Sequence, residues 1–381
     1  MKTTPFRTPH QYQFSSGSAA VVAAVIAAGI WIASPCQAQN NYIQHNLVSN
    51  ISGLADHTDP NLVNPWGIAS SAASPFWVSD NGTNVSTLYN SSGIPQPLVV
   101  AVPPGSPTGV VFNGSAGTFN GDVFLFATEQ GRISGWRGAL GTTAEVLSII
   151  PNAVLKGIAT ATVGGNAYIY AADFANGKIA VLPNTGAPSL TASFTDPNLP
   201  AGYAPFNIQN VNGSLLVTYA QQDAAKHDDV AGAGHGFVDR FDLNGNFLQR
   251  LISMGSLNSP WGLAIAPASF GAFSNDLLVG NFGDGRINAF DAASGAFLGT
   301  LDDSSSNPIT IEGLWGLRVG NGGNGGDSNT LYFTAGIDLE QNGLFGSVSA
   351  IPESGPTLGL MLLGLAAITY CTRWLHPRQT L

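Results

Sequence analysis

Acidic and amide residues close a series of short apolar runs in this 381-residue chain. Asp80 and Asn81 end F-W-V-S-D-N, Glu129 and Gln130 end F-L-F-A-T-E-Q, and Asp173 ends Y-I-Y-A-A-D. Gln221 ends L-V-T-Y-A-Q, Asn281 ends L-L-V-G-N, and Asp338 and Glu340 follow the last such run. A ring of such oxygens with few cations nearby suits Ca²⁺ or Mg²⁺, which take oxygen ligands. The same residues have a structural reading, because an Asp or Asn just after a strand caps the next tight turn with its own side chain. Two longer polar segments carry histidine. Leu54 to Asn64 holds Asp56, His57 and Asp59, and Gln222 to Gly236 holds Asp223, His227, Asp228, Asp229 and His235. His227 is the catalytic candidate, as a general base near neutral pH or as a ligand to an ion. His57, Asp228 and His235 are candidates for contact with a ligand, and a solvated acidic loop is the alternative. No Gly-x-Ser-x-Gly elbow or Ser-His-Asp order accompanies them. The single G-G-N-G-G-D at 322–327 reads as a hairpin loop, since calcium sites of that pattern need consecutive repeats.

The elements that position these residues follow from a recurring phrase. N-P-W-G-I-A begins at Asn64, S-P-W-G-L-A at Ser259 and G-L-W-G-L-R at Gly313, with worn copies P-T-G-V-V at Pro107, K-G-I-A at Lys156 and A-P-F-N-I at Ala204. The apparent turn position (Gly67, Gly109, Gly157, Asn207, Gly262, Gly316) recurs every 42 to 55 residues, the period of a four-stranded propeller blade. Each copy opens a run of alternating or apolar stretches of four to six residues punctuated by N-G and D-G turns, as antiparallel meanders require. The expected fold is all-β, a six-bladed β-propeller over residues 39–350. The last copy lacks a fourth strand, and the strand-like segment Tyr42 to Ile51 is expected to supply it and close the ring. In that architecture the loops entering the blades and those joining second to third strands meet at one mouth of the central channel. Trp66, Trp261 and Trp315 lie there, either packed as core or exposed as a stacking platform for a sugar or peptide.

Composition narrows the setting. Residues 39–350 hold nine Lys and Arg against 22 Asp and Glu, an acidic balance that argues against nucleic acid or anionic lipid as partner. Residues 1–38 read as a signal peptide: a polar start with Lys2 and Arg7, an apolar run from Ala19 to Ala33, and a small-residue cleavage site ending at Ala38. Residues 351–381 combine I-P-E-S-G-P-T, an apolar stretch from Leu358 to Cys371 and a basic end, which is a marginal membrane span with its terminus held in the cytoplasm. Cys36 and Cys371 lie in these ends, so residues 39–350 contain no thiol and no Cys-based metal site.

Two resemblances follow. The tail resembles PEP-CTERM-like sorting signals of the V-P-D-S-G variant, with Pro352, Glu353, Ser354 and Gly355 on the matching positions and Ile351 and Glu353 as departures. It implies handling by signal peptidase and an exosortase-type enzyme, transient anchoring in the inner membrane, and delivery to the cell surface or extracellular matrix. The blade grammar resembles NHL- and gluconolactonase-like propellers, and more closely a family of secreted six-bladed propellers of uncharacterised function. That second match rests on A-D-H-T-D-P-N-L-V-N-P-W-G-I-A from Ala55, V-S-D-N-G-T from Val78 and Q-Q-D-A-A-K-H-D-D-V-A-G from Gln221. By analogy with lactonase-like propellers, one divalent ion would be held by Asp80, Glu129, Asp173 and Asn281 and would polarise a carbonyl. The expected function is that of an exported binding or interaction module for polysaccharide or protein. The alternative is a metal-dependent, lactonase-like hydrolase or lyase.

Overall fold

The computed structural model describes residues 39–352. The expected signal peptide and the tail from Glu353 onward, with Ser354 and Gly355, lie outside the described residues. Six antiparallel sheets are arranged in sequence order. Helix among the described residues is limited to single 3₁₀ turns such as Asn81–Thr83, and none is long or apolar enough to cross a membrane.

The recurring phrase forms the innermost strand of each blade: Pro65–Ala69, Pro107–Phe112, Leu155–Val163, Tyr203–Val211, Pro260–Ile265 and Leu314–Val319. Its glycine does not make the turn expected from sequence. In all six blades the pairing of first and second strands slips at this point, between Pro65 and Ile68, Pro107 and Val110, Leu155 and Ile158, Pro205 and Asn207, Pro260 and Gly262, and Leu314 and Leu317. The phrase therefore encodes a β-bulge, which bends and twists a strand. The glycine serves close approach. A Cβ on Gly67 would lie 2.6 Å from the Val110 nitrogen and 2.7 Å from the Thr108 oxygen, both backbone atoms of the next blade, and one on Gly316 would meet Ile68, Thr334 and the Trp66 oxygen at 2.7 Å. Blade 4 substitutes Asn207, whose Nδ2 donates to the Trp261 oxygen at 2.6 Å while its Oδ1 accepts from the Ile208 nitrogen at 2.8 Å. A side-chain hydrogen bond there joins blade 4 to blade 5.

Packing between blades holds the ring. Each adjacent pair buries its own apolar cluster, for example Trp77 and Val100 against Val110 and Phe126, or Ile158 and Ile169 against Leu125 and Ile133. The alternation of apolar residues along each strand produces these interfaces, because successive side chains point to opposite faces and each face meets a neighbour. Blade 3 departs from the pattern with three strands, 155–163, 166–173 and 178–183. An irregular segment follows it, and Phe194 from that segment is buried against Tyr170 and Phe241.

Closure follows the expectation. Tyr42–Ser49 runs antiparallel to Leu344–Ala350 from Tyr42↔Ala350 to Ser49↔Leu344, giving the last blade its outer strand, and His57–Thr58 adds a short parallel strand beyond it. Tyr42 ties this strand to blade 5: its ring lies 4.8 Å from Phe270 and 6.2 Å from Phe273, and its hydroxyl donates to the Phe270 oxygen at 2.9 Å. Burial pushes the Tyr42 hydroxyl pKa well up. Tyr42→Ala removes a buried ring and a buried bond, so it is expected to cost about 3–5 kcal/mol. Denaturant titration should show this loss, and an unchanged midpoint would contradict the closure role.

Candidate functional site

The face at which inner strands begin and second strands end is called the upper face. The residue just before each bulge glycine or Asn207 holds the same place in the repeat: Trp66, Thr108, Lys156, Phe206, Trp261 and Trp315. The aromatic members close the channel. Trp66 stacks on Trp315 at 3.6 Å, Phe282 stacks on Trp315 at 4.0 Å, and Trp261 meets both tryptophans edge-on at 6.4 and 5.9 Å. Phe206 and Phe174 complete the cluster. Trp66, Trp261 and Trp315 are only 3%, 5% and 1% exposed. Of the two readings open from sequence, the structure therefore carries the packed one, and the exposed stacking platform is corrected. The Trp315 indole donates to Asn64 at 3.2 Å, whereas the buried indole nitrogens of Trp66 and Trp261 have no partner among the described residues.

Lys156 is the one charged member of this set. Its side chain is 1% exposed, with Nζ 4.7 Å from the Trp66 ring centre and 5.9 Å from that of Phe174. A buried ammonium needs a charge partner. Glu129, from the end of the second strand of blade 2, provides it at 2.8 Å through Oε1, and its Oε2 accepts from the Asn81 side chain at 3.2 Å. The Asp228 carboxylate adds a second oxygen at 3.6 Å and is also 2.9 Å from His227 Nδ1. Burial raises the pKa of Asp229, with the Ser259 hydroxyl and Lys156 opposing. Burial likewise raises that of Glu340; Asn64 and Lys156 oppose, and the charges of Glu129 and Asp228 reinforce it. Two carboxylates thus lie within 4.0 Å of the Lys156 ammonium, and two more, Asp229 and Glu340, stand in the reach of its charge.

The segment from Gln222 to Gly236 delivers two of them, and it is a folded extension of the second and third strands of blade 4. Val230 donates to the Gln221 oxygen and Asp223 to the Asp228 oxygen, both at 2.8 Å, while Asp223 Oδ1 accepts from the backbone of His227 at 2.8 Å and of Asp228 at 3.3 Å. These backbone hydrogen bonds, led by that from His227, hold the Asp223 carboxyl below its ordinary range. Asp223 therefore shapes the tip that presents His227 and Asp228. His235 turns the other way: its Nδ1 lies 2.8 Å from the Val230 oxygen and braces the base of the loop.

Of the expected ligand set, the structure brings only Glu129 into this cluster. Asp80 is fully buried, and its Oδ2 accepts from the Thr87 backbone at 3.0 Å and hydroxyl at 2.8 Å; burial pushes its pKa well up. Asp173 caps its own turn through Asn176, at 3.2 Å to the backbone nitrogen and 2.8 Å to the side chain. Asn281 donates to the Ser256 oxygen at 2.8 Å and to Asp284 at 3.1 Å. Asp173 follows the turn-capping alternative, whereas Asp80 makes no cap bond to the turn after it and holds Thr87 of the next strand, and Asn281 ties its strand end to Ser256 and Asp284. His57 stands on the outer edge of the last blade, beside Val48. Among the described residues, Glu129, His227 and Asp228 are the set whose ligand atoms lie within 4.8 Å of one another. Sequence reasoning placed Lys156 beside the three tryptophans and Glu340 and Asp229 in loops of the mouth, but it assigned none of the three a role, because the pairing of Lys156 with Glu129 has no signal along the chain.

No family model matches the sequence. Uncharacterized protein R648 of Acanthamoeba polyphaga mimivirus is 34% identical over 339 residues, 82% of each chain. The chain belongs to the family of that protein. Uncharacterized protein L690 of the same virus is 32% identical over 323 residues, covering 79% of this chain and 84% of its own. Among solved structures, a glucose dehydrogenase aligns over 82% of this chain and 100% of its own with a TM-score of 0.51 at 14% identity. A streptogramin B lyase aligns over 83% and 100% with a TM-score of 0.48 at 13% identity. At such identities the likeness concerns the six-bladed propeller fold alone.

Proposed function

We propose that this propeller is an exported binding module whose upper mouth receives a basic group, such as a lysine side chain of a partner protein or the amine of an amino sugar. The observation that supports this reading is the acid gathered at the mouth: Glu129 and Asp228 lie at 2.8 and 3.6 Å from the Lys156 ammonium, and Asp229 and Glu340 feel the same charge. The aromatic plug beneath makes the mouth a cup with a closed floor. Charge in such a concavity attracts and orients an oppositely charged partner. Export, and delivery to the surface after removal of the tail, rests on the sequence of the two ends.

A divalent ion on Glu129, His227 and Asp228 is the second reading, favoured by the proximity of their ligand atoms, and with it the hydrolase or lyase alternative. The donor set does not suit Ca²⁺ or Mg²⁺. The Lys156 ammonium already lies 2.8 Å from Glu129 Oε1 and 3.6 Å from Asp228 Oδ1, where an added dication would meet direct repulsion.

The test is calorimetric titration with tetralysine. Asp228→Asn, at an exposed position, is expected to weaken binding roughly tenfold, a change of about 1.4 kcal/mol. Equal affinity in the variant would remove the cup from the binding account. Affinity is further expected to rise with pH, since the ionised carboxylates do the binding. Because Glu340 and Asp229 have raised pKa values, part of that rise falls above the ordinary carboxylate range. A pH-independent affinity between 4 and 7 would contradict the proposal.

A further inference from the structure

The lower end of the channel has the opposite character. The inner strands enclose a cavity of about 230 Å³ below the plug, with Trp261 at its upper end and Arg318 and Gln209 among its lining residues. A second recess, flanked by Ser70 and Asn321, shares Gln209, Leu317 and Arg318 with it. Neither lining contains an Asp or Glu, in a chain with 23 acidic against 13 basic residues.

Arg318 is the cation of this space. It lies near the end of the inner strand Leu314–Val319 of the last blade, and its Nη2 donates to the Ser70 oxygen at 3.0 Å. No carboxylate of the described residues lies within 4.0 Å of it; half-buried Arg132 and Arg240 share this state, each bonded to a backbone carbonyl, whereas Arg137 and Arg250 are each held by two carboxylates, Asp122 with Glu145 and Asp196 with Asp239. A guanidinium offers five donors in a rigid fork, and one bond leaves most of them available. Desolvation lowers the Arg318 pKa, so the surroundings penalise the bare charge. The Gln209 amide in the same wall has no side-chain hydrogen bond within the described structure. Its backbone stands in the inner strand Tyr203–Val211 of blade 4.

We propose that the lower mouth binds a small organic carboxylate, its oxygens held by the Arg318 guanidinium and the Gln209 amide and its body in the central cavity. A planar fork matches a carboxylate bidentately. Ile68, Val110, Ile158, Ile208 and Leu263 line the cavity above together with Thr160 and Asn210, which leaves room for a short body of mixed polarity. The volume falls below the roughly 300–1,000 Å³ of drug-sized sites, which selects a small molecule. The site lies at the other end of the channel from the acidic cup and does not depend on the reading given to it.

The experiment is a thermal-shift and calorimetric titration of the full chain with butyrate, and in parallel with inorganic phosphate. Butyrate is expected to raise the melting temperature in a saturable manner, as a ligand of the folded state must. Arg318→Met is expected to abolish the shift, and Gln209→Leu to weaken butyrate binding several-fold. Asp228→Asn should leave it unchanged. Arg318→Met keeps the length of the side chain and removes an unpaired charge, so its unliganded melting temperature should equal or exceed that of the parent. Were it to fail to fold, Gln209→Leu carries the same test. No shift with butyrate, an equal shift in Arg318→Met, or a shift with phosphate alone would each overturn the proposal.

Discussion

Gly67→Ala is expected to destabilise the protein by about 3 kcal/mol or more, at the upper end of overpacking costs. The added methyl would sit 2.6 Å from the Val110 nitrogen and 2.7 Å from the Thr108 oxygen. Both are backbone atoms of blade 2, so no side-chain rotation relieves the clash, and the inner strands of blades 1 and 2 must move apart. Because Gly67 does not lie in the left-handed region, the loss measures close approach rather than backbone conformation. Gly138→Ala is the control. That glycine also has an ordinary φ, and nothing lies within 4 Å of its Cβ position. Denaturant midpoints of the two variants should separate clearly, and a Gly67→Ala midpoint equal to that of Gly138→Ala would mean that the ring does not depend on this contact.

Lys156→Met is expected to cost about 3–5 kcal/mol, the usual consequence of removing one partner of a buried ion pair. The variant leaves the largely buried Glu129 with only Asn81 to satisfy it, and it brings the charges of Asp228 and Glu340 to bear without an opposing ammonium. The double variant Lys156→Met, Glu129→Gln removes the charge left behind and should recover most of the loss, because an apolar or neutral replacement of both partners is often tolerated. Equilibrium denaturation of the two single variants and the double completes a thermodynamic cycle. A coupling near zero would contradict the pairing on which the cup is built.

The ring was legible from sequence because its period, its turn dipeptides and its unmatched first strand are all local patterns. Tyr42–Ser49 closing the last blade follows from counting strands. What the repeated glycine does was not legible. Gly67 and Gly316 are needed for atoms of neighbouring blades, and distances across a blade interface have no signature along the chain. The acidic ring was half legible for the same reason. Asp80 and Asp173 pair with the start of the first strand, a place that Thr128 holds in blade 2, and Glu129 stands one residue further on; Glu129 meets a lysine of the next blade, while Asp80 turns to Thr87 and Asp173 to Asn176. Repeat position gives the location of a side chain, and its partner decides its role. The tryptophans show this once more, since the packing of Trp66 on Trp315 brings together residues from the first and last blades.

The most direct test of the acidic cup sets a basic ligand against a divalent ion on the same full-length protein, with melting temperature read in EDTA, in excess Ca²⁺ or Mg²⁺, and with tetralysine. A ligand bound only by the folded state raises the melting temperature by mass action. The account predicts that tetralysine raises it, that the rise disappears in a Glu340→Gln, Asp228→Asn double variant, and that EDTA and the divalent ions leave it unchanged. A rise with Ca²⁺ or Mg²⁺ that is lost in Asp228→Asn, together with no response to tetralysine, would contradict it and make the mouth a metal centre.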